Sequence, residues 1–203
     1  SPPNVYAWLQ TALFVIHPRP IVLAIPQNCV RIVRSKEVVY MKNYIARAKE
    51  LGFTNAAYLP VEKLVIIPEY RCFCEENLCG NYGVLPVCPP ESGTVAEMTA
   101  RLKQYQTALI LTVEHTPVNI TDPKEQKSYK RAQNLLTEQL MSEMQNDGIK
   151  DLLMIGAGPW KTASCMSAYC INAQKMADAV NMKCWENDGK LRFFSLILTK
   201  QNV

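Results

Sequence analysis

The sequence predicts an α/β domain: a mixed or parallel four-stranded sheet flanked by helices, with a cysteine-rich metal loop inserted into it. Three observations carry this. Short β-branched or apolar runs alternate with helical patterns along the chain. Capping residues stand at the helix starts and glycines at the stops. Four cysteines, Cys72, Cys74, Cys79 and Cys88, fall within a single loop between the first strand and the second helix.

The elements follow in order. Residues 42–51 read as a helix with Tyr44, Ile45, Ala48 and Leu51 toward one side, stopped by Gly52. Residues 61–67 are rich in β-branched side chains and read as a strand that delivers the chain to Pro68 and the cysteine loop. Thr94 with Glu97 forms a capping box for a helix running to about residue 105. Residues 108–113 read as a buried strand. Asp122, Pro123 and Glu125 open the next helix, whose apolar face is Ala132, Leu135, Leu136, Leu140 and Met144. It ends near Asp147-Gly148. Residues 151–155 form a short strand leading into Gly156-Ala157-Gly158, a helix follows over 164–180, and residues 191–199 close the sheet. A strand-helix alternation of this kind favours crossovers between parallel strands.

The 203 residues suffice for one domain with a proper core. With 48% hydrophobic and 20% charged residues the composition is globular. The net charge of +4 is concentrated near the start, where Arg19, Arg31, Arg34 and Lys36 face Glu37 alone. The remainder has no basic bias, so nucleic acid is not the expected partner. Residues 1–40 read as a leader or extension preceding a single metal-binding domain over 41–203. Its apolar run at residues 8–16 is broken by Pro18, Pro20 and Pro26 before reaching bilayer length, so no membrane association is expected. The sequon at Asn119 has meaning only in a secretory pathway. The eight cysteines are too sparse for a disulfide scaffold, and a cytoplasmic location is expected.

The chemistry rests on the spacing Cys72-x-Cys74-x4-Cys79-x8-Cys88, followed by Pro89-Pro90. Thiolates gathered by short loops hold soft metals or iron–sulfur clusters. The x4 spacing resembles the opening of plant-type ferredoxins, and Cys-Pro occurs in bacterial ones. Zinc knuckles more often use Cys-x2-4-Cys, so an iron–sulfur cluster is favoured and zinc is the alternative. Gly80 and Gly83 would let backbone N–H groups approach sulfur, whereas Glu75 and Glu76 add negative charge that suits zinc better than an anionic cluster.

The string Cys74-x4-Cys79-x2-Tyr82-Gly83-x4-Cys88-Pro89-Pro90 resembles the signature of a bacterial and archaeal domain-of-unknown-function family described as predicted metal-binding proteins. The resemblance runs from about Met41 to the end. It implies metal ligation by Cys74, Cys79 and Cys88. Family members usually carry a second cysteine group after the Gly-x-Gly. Here Pro159-Trp160-Lys161-Thr162 occupies that place, and Cys165 and Cys170 fall where the family has small residues.

Cys72 is the nearer candidate for a fourth ligand. Cys165 and Cys170, placed on a helix, would point about 140° apart and read as small buried hydrophobes, with a fourth ligand from one of them as the alternative. Gly156-x-Gly158 lacks a third glycine, and Pro159 removes an N–H that a phosphate would need, so it reads as a tight turn. His115 reads as a loop-end residue, and the methionines of 141–182 as core filling. The expected function is a metal-binding protein with a redox accessory or electron-transfer role, served by an unidentified redox or protein partner. The alternatives are a structural zinc module and an enzyme with a reactive cysteine in the loop.

Overall fold

The computed structural model describes residues 29–34 and 37–201. Two strands, β1 (Cys29–Arg34) and β2 (Glu37–Lys42), form an antiparallel hairpin in which Val30 faces Met41. Met41 therefore sits within a strand and does not open a helix. The first helix, α1, spans Tyr44–Leu51, begins at Asn43, whose side chain accepts from the Ala46 N–H, and stops at Gly52 with φ 110°. Residues 1–28, most of the expected leader, lie outside the described residues.

The domain's sheet has four strands: β3 (Asn55–Pro60), β4 (Thr107–His115), β5 (Leu153–Ile155) and β6 (Leu191–Thr199), in spatial order β3-β4-β6-β5. Every neighbouring pair is antiparallel, which corrects the expected mixed or parallel sheet. The reason is where the last strand goes. Helix α4 (Pro123–Asn146) does carry the chain from β4 to β5, and these two strands run the same way. The closing strand β6 then inserts between them, antiparallel to both, so the crossover joins strands that never touch.

The first strand of the sheet also lies earlier than expected. β3 ends at Pro60, and residues 61–63 turn into a single 3-10 turn. β3 is an edge strand, where a proline is tolerated because its missing N–H faces no partner. The run 61–67, rich in β-branched residues, supplies only an isolated bridge between Ile66 and Ile171.

Alternation along β4 and β6 sorts the core onto two faces. Ala108, Ile110, Phe194, Leu196 and Leu198 bury against Met98 and Leu102 of α3 (Val95–Leu102), Met176 of α5 (Ala173–Asp178), and Ala168 and Tyr169. Leu109, Leu111 and Ile197 bury on the opposite face against Tyr44 and Ala48 of α1 and Leu140 and Met144 of α4. The Thr94–Glu97 capping box forms as read from the sequence. At the start of α4, Asp122 caps and Pro123 occupies the first turn, but Glu125 accepts from the Val118 and Asn119 N–H groups instead of closing a box.

The inner face of α4 departs from its hydrophobic pattern. Ala132 and Leu135 are exposed, while Gln133, Asn134 and Thr137 are buried. Gln133 donates to the Leu111 carbonyl (3.2 Å) and to Ser195 Oγ (3.1 Å), and Thr137 Oγ1 lies 2.7 Å from Ser195 Oγ. A buried polar seam of this kind fixes one register of helix on sheet, because each displaced member would lose its partner. Asn134 Oδ1 accepts from the Ala157 N–H (2.8 Å) and so pins the turn after β5.

That turn explains Gly156. A Cβ there would run into the Gly158 carbonyl oxygen and stand 3.0 Å from Asn134 Oδ1, whereas a Cβ at Gly158 meets only the flexible Lys130 side chain at 3.6 Å. Gly156→Ala is expected to cost about 1–3 kcal/mol by overpacking, and Gly158→Ala well under 1 kcal/mol. Urea unfolding of the two variants checks this, and equal costs would contradict it.

Candidate metal centre

The approach to the cysteine loop is set by backbone pairing. The Ile67 N–H donates to the Cys170 carbonyl (2.9 Å) and the Asn172 N–H to the Val65 carbonyl (2.8 Å), on either side of the Ile66–Ile171 bridge. Pro68 then starts a 3-10 turn that runs directly into α2 (Cys72–Glu75). Beyond α2 the chain is a series of turns. Asn77 is left-handed at φ 52°, and its side-chain oxygen accepts from the Tyr82 N–H (3.0 Å).

Gly80 and Gly83 are also left-handed, at φ 73° and 65°, the conformation that favours glycine. Nothing lies within 4 Å of a Cβ built at either, so backbone conformation and not close approach requires them. Their N–H groups are already committed, Gly80 to the Asn77 carbonyl and Gly83 to the Pro89 carbonyl (2.9 Å). This corrects the expectation that they point at sulfur. The Cys88 N–H closes onto Leu85 and the Ser92 N–H onto Cys88, which holds the far end of the loop against α3.

Cys72, Cys74, Cys79, Cys88, Cys165, Cys170 and Cys184 are all free thiols. Cys88 is buried, Cys74 is half-buried, and Cys72 and Cys79 are exposed. Burial first, and then the Cys165 thiol, push the Cys74 thiol up to about 11, with Cys79 adding to the rise and the Arg71 guanidinium opposing it. The same two influences, joined by Cys79 and Glu91, push Cys88 up to about 11. Cys165 and Cys79 thus each act on both Cys74 and Cys88. They are not closed to ligation distance: among the described residues no three His, Cys, Asp or Glu side chains are drawn together as a ligand set. Thiols held this far up are protonated at neutral pH, the opposite of an activated nucleophile.

Cys72 and Cys74 are two residues apart on α2, about 200° around a helix axis, and so leave it on opposite sides. Cys72 instead acts on Cys170, whose thiol is raised first by burial. Cys170 Sγ points to the Pro68 carbonyl at 3.8 Å.

Sequence reasoning ranked Cys165 behind Cys72 because it placed Cys165 on a helix. The helix expected over 164–180 is present only as α5, and residues 166–170 form turns, with Cys170 left-handed at φ 55°. The 140° separation argued from a helix does not apply. Instead Pro159–Thr162 is a tight reversal: the Gly156 N–H donates to the Ser164 carbonyl (2.9 Å), and Cys165 bridges to Gly156. This folds Cys165 back beside the end of β5, half-buried against the same core cluster as Met98. The signal was present in Gly156-Ala157-Gly158-Pro159, which fits a reversal better than a helix entry.

Arg71 joins the two segments. Its Nη2 donates to the Ala168 carbonyl (3.1 Å) and lies 3.6 Å from Met98 Sδ, which Ser92 Oγ also approaches at 3.5 Å. Its Nε is buried without a partner. A cation beside Cys74 with a spare buried donor suits a centre built from thiolates, and four thiols suit a soft metal. The donor types are those of a soft-metal centre, while among the described residues no three of them are drawn together. His115 takes no such part: it stacks on Tyr129 with ring centroids 4.0 Å apart.

The family model described as predicted metal-binding protein (DUF2284) matches residues 57–165, just over half of the chain. The chain belongs to this family, and the matched stretch holds all four loop cysteines and ends at Cys165. No curated protein and no solved structure matches the chain. Among the described residues no helix is long and apolar enough to cross a membrane.

Arg71→Met removes a charged hydrogen bond between the loop's entry and the 165–170 segment. Amide exchange across residues 72–92 is expected to speed up about tenfold, the equivalent of roughly 1.4 kcal/mol, while β4 and β6 keep their protection. Hydrogen–deuterium exchange checks this. Uniform acceleration through the sheet would contradict it.

Proposed function

We propose that this member of the predicted metal-binding family holds one iron–sulfur centre on the thiolates of Cys74, Cys79 and Cys88 and serves as a redox accessory or electron carrier. The observation that supports this most is that Cys74, Cys79 and Cys88 all fall within the stretch matched by the predicted metal-binding family, with the Arg71 guanidinium acting on Cys74. A fourth thiolate comes from Cys72 on the same loop or from the facing 165–170 segment. When bound there, the centre supplies one-electron transfer. Arg71 offsets the negative charge of the thiolates, and burial of Cys88 limits water at the inner side of the site.

Phe73, Leu78 and Val84 are exposed on the same loop and give a redox or protein partner apolar surface next to the centre. A reducing, cytoplasmic setting accords with the free thiols.

A structural zinc module is the second reading. Residues 72–93 contain one four-residue helix and leave those apolar side chains exposed, so the loop has little core of its own. Metal-binding energy would then be folding energy.

Anaerobic purification followed by iron, sulfide and zinc analysis and a visible spectrum separates the two. The expected result is brown protein with stoichiometric iron and sulfide that bleaches on reduction, lost in Cys88→Ala. Colourless protein with one zinc per chain would overturn the redox reading in favour of the structural one.

A further inference from the structure

We propose that this protein self-associates head to tail, with the cysteine-loop face of one copy docked on the outward face of α4 in a second copy. The inference does not depend on a metal. It gives the exposed apolar surface around the loop an occupant.

The loop face is acidic because its cations are spent inward. No lysine stands between residues 64 and 102. The two arginines of that stretch serve the fold: Arg71 donates to the Ala168 carbonyl (3.1 Å) and Arg101 to the Ser92 carbonyl (3.2 Å). Glu69, Glu75, Glu76 and Glu91 are exposed, and among the described residues none of them has an ion-pair partner. Phe73, Leu78 and Val84 stand exposed in the same stretch, Leu78 by 88%.

The first half of α4 is the reverse case. Lys124, Lys127, Arg131 and Leu135 are all exposed, and their three- and four-residue spacing keeps them within about 80° of one another around the axis. The acids of that end are spent on the fold. Asp122 accepts from the Lys124 N–H, and Glu125 accepts from the Val118 and Asn119 N–H groups and from the Tyr129 hydroxyl (2.6 Å). Among the described residues no carboxylate pairs with Lys124, Lys127 or Arg131. Cations in the first turns also run against the helix dipole, so the helix gains nothing from them. At its other end the acids are matched: Glu138 meets Lys161 and Glu143 meets Arg47. Val118 and Ile120, 100% and 43% exposed, are tied to the basic end by Glu125 and by the Gln126 side chain, which donates to the Ile120 carbonyl (2.7 Å).

The two faces are complementary in charge and alike in bearing bare apolar side chains. Of the seven large apolar side chains exposed among the described residues, six fall on these faces and only Trp185 lies elsewhere. Such surface marks a contact with another molecule. The faces stand on opposite sides of the sheet: α4 covers one side, while the loop rests through Arg71 and Ser92 on Met98 of α3, which covers the other. One molecule cannot bring them together, but the loop face of one copy fits the α4 face of the next. Because the two surfaces differ, each contact leaves one of each kind free at the ends, and the contact repeats.

Sedimentation velocity of the reduced, purified protein tests this, at about 0.1 mM protein in about 0.03 M and about 0.5 M salt. Reductant keeps the exposed Cys72 and Cys79 from cross-linking copies. Wild type is expected to associate at low salt and to return to monomer at high salt. Glu76→Gln/Leu78→Ser blocks the loop face and Lys127→Gln/Leu135→Ser the α4 face, with circular dichroism confirming the fold. Each variant alone is expected to associate at least about tenfold more weakly. Mixed, they are expected to form a 1:1 dimer that grows no further, because one keeps its α4 face and the other its loop face. Glu186→Gln, an exposed acid on neither face, is expected to match wild type. Wild type that stays monomeric at low salt, or a mixture no more associated than its parts, would overturn the proposal. Equal weakening by Glu186→Gln would also overturn it, since that reports overall charge and not these faces. Co-sedimentation of a monomeric wild type with phosphatidylcholine vesicles would overturn it in favour of a lipid surface. None of these outcomes bears on whether Cys74, Cys79 and Cys88 hold a metal, so the two readings fail separately.

Discussion

The short backbone pairing between residues 65–67 and 170–172 is the constraint on which the rest of the site depends. Two hydrogen bonds and one bridge bring a segment from before the cysteine loop against a segment far along the chain. Arg71 extends the same contact by one more bond, to Ala168. Without this seam the loop would be an excursion on the surface of α3. With it, the start of the cysteine loop is tied to the 168–171 segment, and Cys165 packs against the sheet's core.

The sheet serves this arrangement by leaving one face free for loops. One face is covered by two helices, α1 and α4, and locked by the buried Gln133–Ser195–Thr137 seam. The other is covered by α3, the short α5 and the turns of 163–171, a looser roof into which a cysteine-bearing segment can be set. Satisfied polar groups on the helical side fix the register of α4, and through Asn134 they also fix the Gly156–Gly158 turn. That turn in turn aims the reversal that carries Cys165. A chain of ordinary hydrogen bonds thus connects the buried seam under α4 to the segment that carries Cys165.

Much of this was legible in the sequence, because local signals acted locally. Gly52 stops α1, Thr94 and Glu97 box α3, Asp122 and Pro123 open α4, and β4 and β6 lie where their apolar runs stand. The Cys-x4-Cys-x8-Cys-Pro-Pro string identified the family. What escaped was decided by long-range pairing. The insertion of β6 between β4 and β5 made the sheet antiparallel, which no pattern within a strand records. The β-branched run 61–67 became a turn and a bridge because Pro60 ended the strand before it. Leu135 matched a helical stripe yet faces solvent, since the buried side of α4 is built from Gln133, Asn134 and Thr137. Reading 164–180 as one helix concealed Cys165, although the Gly-Ala-Gly-Pro entry and Cys170's left-handed turn belong to a reversal.

The central claim is that the thiolates of Cys74, Cys79 and Cys88 share one ion or cluster. X-ray absorption at the metal edge of the anaerobically purified, metal-loaded protein tests it most directly. The account predicts a first shell made only of sulfur, four scatterers per metal at about 2.3 Å, with fewer sulfurs in Cys88→Ala. A first shell dominated by nitrogen or oxygen, or a sulfur shell unchanged by that substitution, would contradict it.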